Sequence, residues 1–341
     1  MTQPAHSTEQ LETTIAARTE AFRDNFSAME GELGKVIVGH RGTIRHTLLC
    51  LLTGGHVLLE GVPGLGKTLL VRTLGQVLDL EFSRIQFTPD LMPADIIGTN
   101  ILVTDANAGR SLQFQPGPLF GNLILADEIN RASHKTQSAL LEAMAEKSVS
   151  VGRTTYKMAE PFFVLATQNP LEMEGTYPLP EAQLDRFAVK LRVELPSEAE
   201  LLQIINRTTG TQQASPLTLV HAGTLAEMKA LVRMVPVGEG LQRYIARLIM
   251  ATHPESALAT DMVKKHVRHG SSPRGAQSIV LMAKAMAMVQ GRPNAGQADV
   301  KSIAVPALAH RIICTLEAAL EGISPEAIIQ DVLDRVLPGP A

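Results

Sequence analysis

Cysteine is scarce in this chain, with only Cys50 and Cys314 among 341 residues. Two thiols cannot build a disulfide framework. Both sit in apolar patterns read as helical, so they are expected to be buried and free, as suits a reducing compartment. Long hydrophobic runs are missing too. None approaches the roughly 20 residues that a bilayer-spanning helix needs. The N-terminus lacks the basic-then-apolar pattern of a secretory leader, and the chain is read as soluble and cytoplasmic. Neither sign of charge dominates: 31 Lys and Arg face 34 Asp and Glu, a net charge of -3. Nothing global therefore draws the protein to nucleic acid or to an anionic membrane. No Ser-His-Asp set appears in a matching context. His266 and His269, in KKHVRHG, have no further ligand types close by and read as loop histidines rather than a metal site. Internal repeats and low-complexity segments are absent. What remains is an ordinary globular balance of 45% hydrophobic and 19% charged residues, in a chain long enough for two domains.

One stretch organises the rest. His56 to Thr68 reads HVLLEGVPGLGKT and satisfies G-x-x-x-x-G-K-[ST]. A short apolar run precedes it and a helical pattern follows, which is the strand–turn–helix context that a phosphate-binding loop requires. Backbone N–H groups of Gly61, Val62, Pro63, Gly64, Leu65, Gly66, Lys67, Thr68 and Leu69 span the candidate nucleotide cradle, Pro63 supplying none. The helix N-terminus adds partial positive charge. Lys67 would reach the β- and γ-phosphates, and Thr68 would put its hydroxyl on Mg²⁺.

The layout on either side is α/β and then helical. Residues 1–7 read as an irregular lead, followed by a helix from Thr8 to about Leu33 with Leu11, Ile15, Ala16, Phe22, Phe26 and Met29 as its apolar face. A second helix is expected at Thr43–Leu52. After the phosphate loop come a strand at Phe82–Phe87, a loop at Thr88–Ile97 and a hairpin (Thr99–Val103, Ser111–Phe114) that turns at Asp105–Gly109. A buried strand at Asn122–Ala126 leads to a helix at Ser133–Glu146, and a second hairpin spans Ser148–Lys157. Another buried strand, Pro161–Thr167, precedes a Pro- and Gly-rich loop and a final strand at Ala188–Val193. Beyond Pro196 the strand signals vanish, and six helices are expected, among them Arg274–Val289 and Ala298–Cys314. The division expected is an N-terminal helical segment (1–35), an α/β nucleotide domain (36–196) and an all-helical domain (197–341).

Chemistry-bearing residues cluster at strand ends, where open α/β sheets present ligand groups. Asp127 and Glu128 close the run NLILA; alternation sends adjacent side chains apart, so Asp127 is assigned to the Mg²⁺ shell and Glu128 to polarising the attacking water. A solvated acidic turn is the plain alternative. Asn169 in TQNP would orient that water or touch the γ-phosphate, or would simply start an Asx-turn before Pro170. Arg186 (LDRF) and Arg274 (SPRG) have the planar fork that suits a polyphosphate, but surface salt bridges would also account for them.

The set GVPGLGKT, LILADEINRA, VLATQNP, LPEAQLDRF and SPRG resembles the MoxR family of AAA+ ATPases, over about Val36 to Val336. The resemblance implies an AAA+ P-loop module with a five-stranded parallel sheet in the order 5-1-4-3-2 and a C-terminal helical lid. It makes the two hairpins the helix-2 and pre-sensor-1 inserts. It assigns Gly61–Thr68 to Walker A, Asp127-Glu128 to Walker B, Asn169 to sensor 1, Arg186 to the arginine finger and Arg274 to sensor 2. Arg131 resembles a residue placed near the subunit interface. One departure is His40, where members usually carry glutamine in a loop near the adenine. The resemblance further implies ATP and Mg²⁺ as cofactors, hexamers with sites between subunits, and chaperone-like remodelling of protein complexes. Partners with von Willebrand factor A domains, and in some cases metal insertion, go with that role. Two other readings stand beside it: a nucleic-acid motor using Lys147, Arg153, Lys157 and Tyr156 of the second hairpin, and a scaffold with little turnover.

Overall fold

The computed structural model describes residues 5–62, 64–105, 109–170, 177–210 and 215–337, with side chains described from residue 17 onward except at 105 and 109. The side chains of the expected face residues Leu11, Ile15 and Ala16 are not among those described, and Pro63 of the cradle and much of the Asp105–Gly109 turn and of the Pro- and Gly-rich loop lie outside the described residues.

In chain order the first half runs α1 (Ala5–Val36), α2 (Arg41–Thr53), β1 (Val57–Glu60), α3 (Lys67–Leu78), β2 (Phe82–Gln86), α4 (Pro93–Ile97), β3 (Gly98–Asp105), β4 (Gly109–Pro116), β5 (Leu123–Asp127) and α5 (His134–Glu146). Next come β6 (Ser148–Val151), β7 (Thr154–Lys157), β8 (Phe163–Gln168), α6 (Glu181–Leu184) and β9 (Val189–Arg192). The remainder is α7 (Glu198–Thr209), α8 (Ala222–Met234), α9 (Glu239–Ala251), α10 (Asp261–His266), β10 (Val267–His269), α11 (Pro273–Val289), α12 (Gln297–Leu308), β11 (Ile313–Cys314), α13 (Leu316–Leu320) and α14 (Pro325–Arg335).

The central sheet has the order β2-β5-β8-β1-β9, every pair parallel. Counting only these five strands, this is the expected 5-1-4-3-2 read from its other edge. Strand alternation divides the core in two. Val57, Leu59, Leu123, Leu125, Phe163 and Leu165 point to one face, where α1, α2, α3 and the C-terminal helices pack. Leu58, Ile124, Ala126, Val164 and Ala166 point to the other, against Leu140, Leu141 and Met144 of α5. Phe22, Phe26 and Met29 of α1 are fully buried.

Several local expectations are corrected. Helix α1 begins by Ala5, so residues 5–7 are helical rather than irregular. The 88–97 stretch contains α4: Pro93 is pre-organised for the first turn, and the Asp95 carboxylate accepts from the Met92 N–H at 2.8 Å. The C-terminal region is not wholly helical. Helix α12 ends at Leu308, past the internal Pro306. Cys314 lies in β11, which pairs antiparallel with β10. His266 closes α10 and His269 lies in β10, so neither is a loop residue.

The two hairpins β3–β4 and β6–β7 stand off the sheet as separate ribbons. They meet where β3 lies beside β6 and at a ring pair: Phe114 of β4 stacks on Tyr156 of β7 with centroids 4.0 Å apart. None of the described helices is long and apolar enough to cross a membrane.

Candidate nucleotide site

The phosphate loop leaves β1 at the C-terminal edge of the sheet. Gly61 packs so closely that a Cβ there would meet the Val193 carbonyl at 2.9 Å. Gly64 and Gly66 differ: both take left-handed φ values, 85° and 75°, with open space where a side chain would project. The concavity this leaves is what a polyphosphate needs. Gly66 caps α3, whose first two residues are Lys67 and Thr68. Lys67 donates to the Gly61 carbonyl at 2.6 Å, across the mouth of the loop. Partial burial lowers its pKa, and the nearby Asp127 and Glu128 carboxylates oppose that shift. Val62, Leu65 and Leu69 flank the loop, Leu69 exposed and the other two half-buried.

Asp127 ends β5 on the face it shares with Leu125, the phosphate-loop side. One carboxylate oxygen accepts from the Thr167 hydroxyl at 2.7 Å and the other from Arg84 at 2.7 Å. Glu128 follows in a left-handed conformation, φ 56°, unusual for a glutamate and held by its surroundings. Its backbone N–H donates to that same Thr167 hydroxyl at 2.8 Å. Its carboxylate accepts from Gln86 at 2.9 Å and from Arg131 at 3.0 Å. Asn169, buried just beyond β8, takes a long 3.5 Å contact from the Asn130 amide on its backbone carbonyl. The donor set fits the implied groups: an open glycine cradle, a lysine and a first-turn hydroxyl for the phosphates, and a shielded carboxylate for Mg²⁺.

Thr167, Arg84 and Gln86 escaped the sequence reading. The signal for the last two was available. Arg84 and Gln86 are alternate polar residues on an edge strand, and Gln86 lies directly opposite Asp127 in register.

The other two predicted residues sit elsewhere. Arg186 follows α6, and its guanidinium donates to the Leu141 carbonyl of α5. It lines an open groove of about 350 Å³ with His56, Glu146, Arg233, Arg274 and Arg311. The groove lies at the N-terminal ends of β1 and β9, where the Ala188 N–H bonds the His56 carbonyl. Arg274, in the first turn of α11, pairs with Asp185 at 3.6 Å. The two arginines thus come together, but at the edge of the sheet opposite the phosphate loop.

The 36–40 loop carries two successive left-handed residues, Gly39 (φ 70°) and His40 (φ 52°). Gly39 lies against the Glu200 carboxylate, which also caps α7 by accepting from the Ser197 N–H at 2.8 Å. A cavity of about 740 Å³ opens between α1, α2 and α7, lined in part by Ile37, Val38 and Gly39.

Residues 56–189 match the ATPase family associated with various cellular activities (AAA), and residues 259–332 match the AAA lid domain. The chain is 44% identical to the chaperone MoxR1 of Mycobacterium tuberculosis, over 89% of this chain and 80% of that protein. It is 31% identical to the protein MoxR of Paracoccus denitrificans, over 97% of this chain and 100% of that one. A crystal structure described as an ATPase from Cytophaga hutchinsonii superposes with a TM-score of 0.89 at 40% identity, covering 97% of this chain and 99% of that one. With full-length relatives at these identities and both AAA modules in place, the chain belongs to the MoxR family of AAA ATPases.

Proposed function

We propose that this protein hydrolyses ATP at sites built by two copies of the chain. One observation carries the reading: the open phosphate cradle and the Arg186–Arg274 pair occupy opposite edges of one sheet. No single protomer can bring both to the same triphosphate, whereas head-to-tail neighbours in a closed ring can. In the proposed site Gly61–Leu69 hold the phosphates, Lys67 faces the β- and γ-oxygens, and the purine lies against the 36–40 loop. Thr68 and Asp127 would hold Mg²⁺, which when bound offsets phosphate charge. Glu128 orients and polarises the attacking water, and Asn169 steadies it. Arg186 of the neighbour, with Arg274 beside it, meets the charge that develops on the γ-phosphoryl group. A finger of this kind is worth roughly 10³–10⁵ in rate.

We read the ring as a hexamer that remodels or assembles protein complexes in the cytoplasm, with the relative named a chaperone as support. Partners with von Willebrand factor A domains, and metal insertion, belong to the same proposal. The nucleic-acid reading is weaker. Lys147 is engaged by Glu160 at 2.7 Å, and Tyr156 is stacked on Phe114 rather than free to stack on a base.

The experiment is subunit mixing. Lys67→Ala and Arg186→Ala proteins should each be inactive alone, with Arg186→Ala still binding ATP. Mixed together they should regain activity, because intact cradles then meet intact fingers. An inactive mixture, or parental turnover by either variant alone, would overturn the two-subunit site.

A further inference from the structure

The loop that carries Arg186 is tied to the C-terminal helices chiefly by a buried cation, beside which His310 Nε2 bonds the Phe187 carbonyl at 3.0 Å. Arg311 is 7% exposed and follows α12, yet its fork reaches back to the carbonyls on either side of Arg186. It donates to the Asp185 carbonyl at 3.1 Å, the Phe187 carbonyl at 2.7 Å and the Ala188 carbonyl at 3.0 Å. It also donates to the Ala307 carbonyl of α12 and to the Ser278 hydroxyl of α11 at 3.3 Å. Its Nε donates to the Asp185 carboxylate at 2.9 Å. Asp185 in turn accepts from the Ser272 hydroxyl, the N-cap of α11, at 2.7 Å, and pairs with Arg274 at 3.6 Å. Phe187, fully buried, pins the other side of the turn in the core. Arg186, the residue between, lines the groove with its guanidinium on the Leu141 carbonyl.

We propose that Asp185 and Arg311 are positioning residues that set Arg186 and Arg274 as one unit for the neighbouring subunit's nucleotide. The chemistry favours this use of an arginine. Only a planar fork with five donors can satisfy several carbonyls and a carboxylate together, and a lysine of equal charge cannot. Losing its carboxylate would leave a buried guanidinium's charge unpaired, which is costly, so the tie is stiff. Both reacting-side arginines hang on Asp185: Arg186 through the backbone, Arg274 through charge. A lid rotation that shifts Arg274 must therefore carry the finger loop or break this node.

The inference rests on the two-subunit site proposed above, and the test separates the two. Asp185→Asn and Arg311→Lys proteins are assayed alone and in mixtures. Alone, each should lose about a hundredfold in kcat, the scale of a misplaced catalytic group, while KM for ATP stays near the parent value. Mixed with Lys67→Ala subunits, whose fingers are intact, each should recover activity. Mixed with Arg186→Ala subunits it should not. Recovery in the Arg186→Ala mixture but not the Lys67→Ala mixture would place the defect at the cradle and overturn the proposal, as would parental kcat in both variants. If Arg186→Ala mixed with Lys67→Ala fails to recover, the two-subunit site itself is wrong. Should neither variant fold, by circular dichroism, the same mixtures are run with Ser272→Ala. It removes one hydroxyl bond to Asp185, and a smaller drop repaired only by Lys67→Ala subunits is expected; its absence refutes the node.

Discussion

Thr167→Val is the sharpest test of how the site is held. Thr167 is fully buried in β8, and its hydroxyl makes two bonds at once: to the Asp127 carboxylate at 2.7 Å and from the Glu128 N–H at 2.8 Å. Valine keeps the shape and the strand preference but removes both. The Glu128 N–H would then lose its partner in a strained left-handed turn, and Asp127 would keep only Arg84. Orphaning one buried N–H costs about 1–3 kcal/mol, so stability should fall by about 2 kcal/mol in urea denaturation. With its backbone released, Glu128 no longer aims at a fixed point, and ATP turnover should fall by about ten- to a hundredfold. Thr167→Ser separates the two effects. It retains the hydroxyl and loses one methyl, about 1 kcal/mol of burial, so it should lose stability and keep its rate. A valine variant that hydrolyses ATP at the parental rate, or a serine variant that does not, would refute this reasoning.

Three other outcomes are expected. Gly66→Ala puts a side chain at φ 75° in the open cradle, so it should fold with a loss near 1 kcal/mol and bind ATP at least tenfold more weakly; unchanged affinity in a fluorescent-nucleotide titration would count against the cradle. Arg84→Ala frees one Asp127 oxygen and should lower the Mg²⁺ concentration needed for half-maximal turnover several-fold, with stability altered by less than about 1 kcal/mol because the guanidinium is half exposed. His56 is buried, its Nδ1 accepts from the Val164 N–H, and desolvation brings its pKa down to about 4. A folded-state value below the unfolded one means the stabilisation is complete above the unfolded pKa and is lost as pH falls through the window from the unfolded value to about 4. Between pH 7 and pH 5 it should remove about 2 kcal/mol, and His56→Gln should make that part of the profile shallower, the remaining slope coming from buried His310, which is shifted the same way; an equally steep profile would refute it.

Much of the architecture could be read in advance because it rests on short-range pattern. Apolar runs ending in glycine or acid marked β1 and β5, alternation marked β2, and strand-like runs flanking a turn marked both hairpins. The phosphate loop was legible for the same reason, since Gly61, Gly66, Lys67 and Thr68 are sequence neighbours. What escaped depends on contacts between distant segments. Arg311 meets Asp185 across 126 residues, and no local pattern marks it as more than one arginine near a helix end. Thr167 looked like the last residue of an apolar strand, because a hydroxyl's partners are invisible until β5 lies alongside. The β10–β11 ribbon was missed because strands of three and two residues carry no periodicity.

The Phe114–Tyr156 stack has a mechanical consequence. The β6–β7 ribbon lies in the stretch of chain that joins Glu128 to Asn169, whereas β3–β4 lies in the stretch that joins β2 to β5. Apart from a brief approach of β3 to β6, the two ribbons share no strand pairing. Two rings face to face at 4.0 Å make them share a load, so a tug on the tip of the first is felt in the second. A polypeptide gripped at either tip would thereby strain the very segment that spaces Glu128 from Asn169.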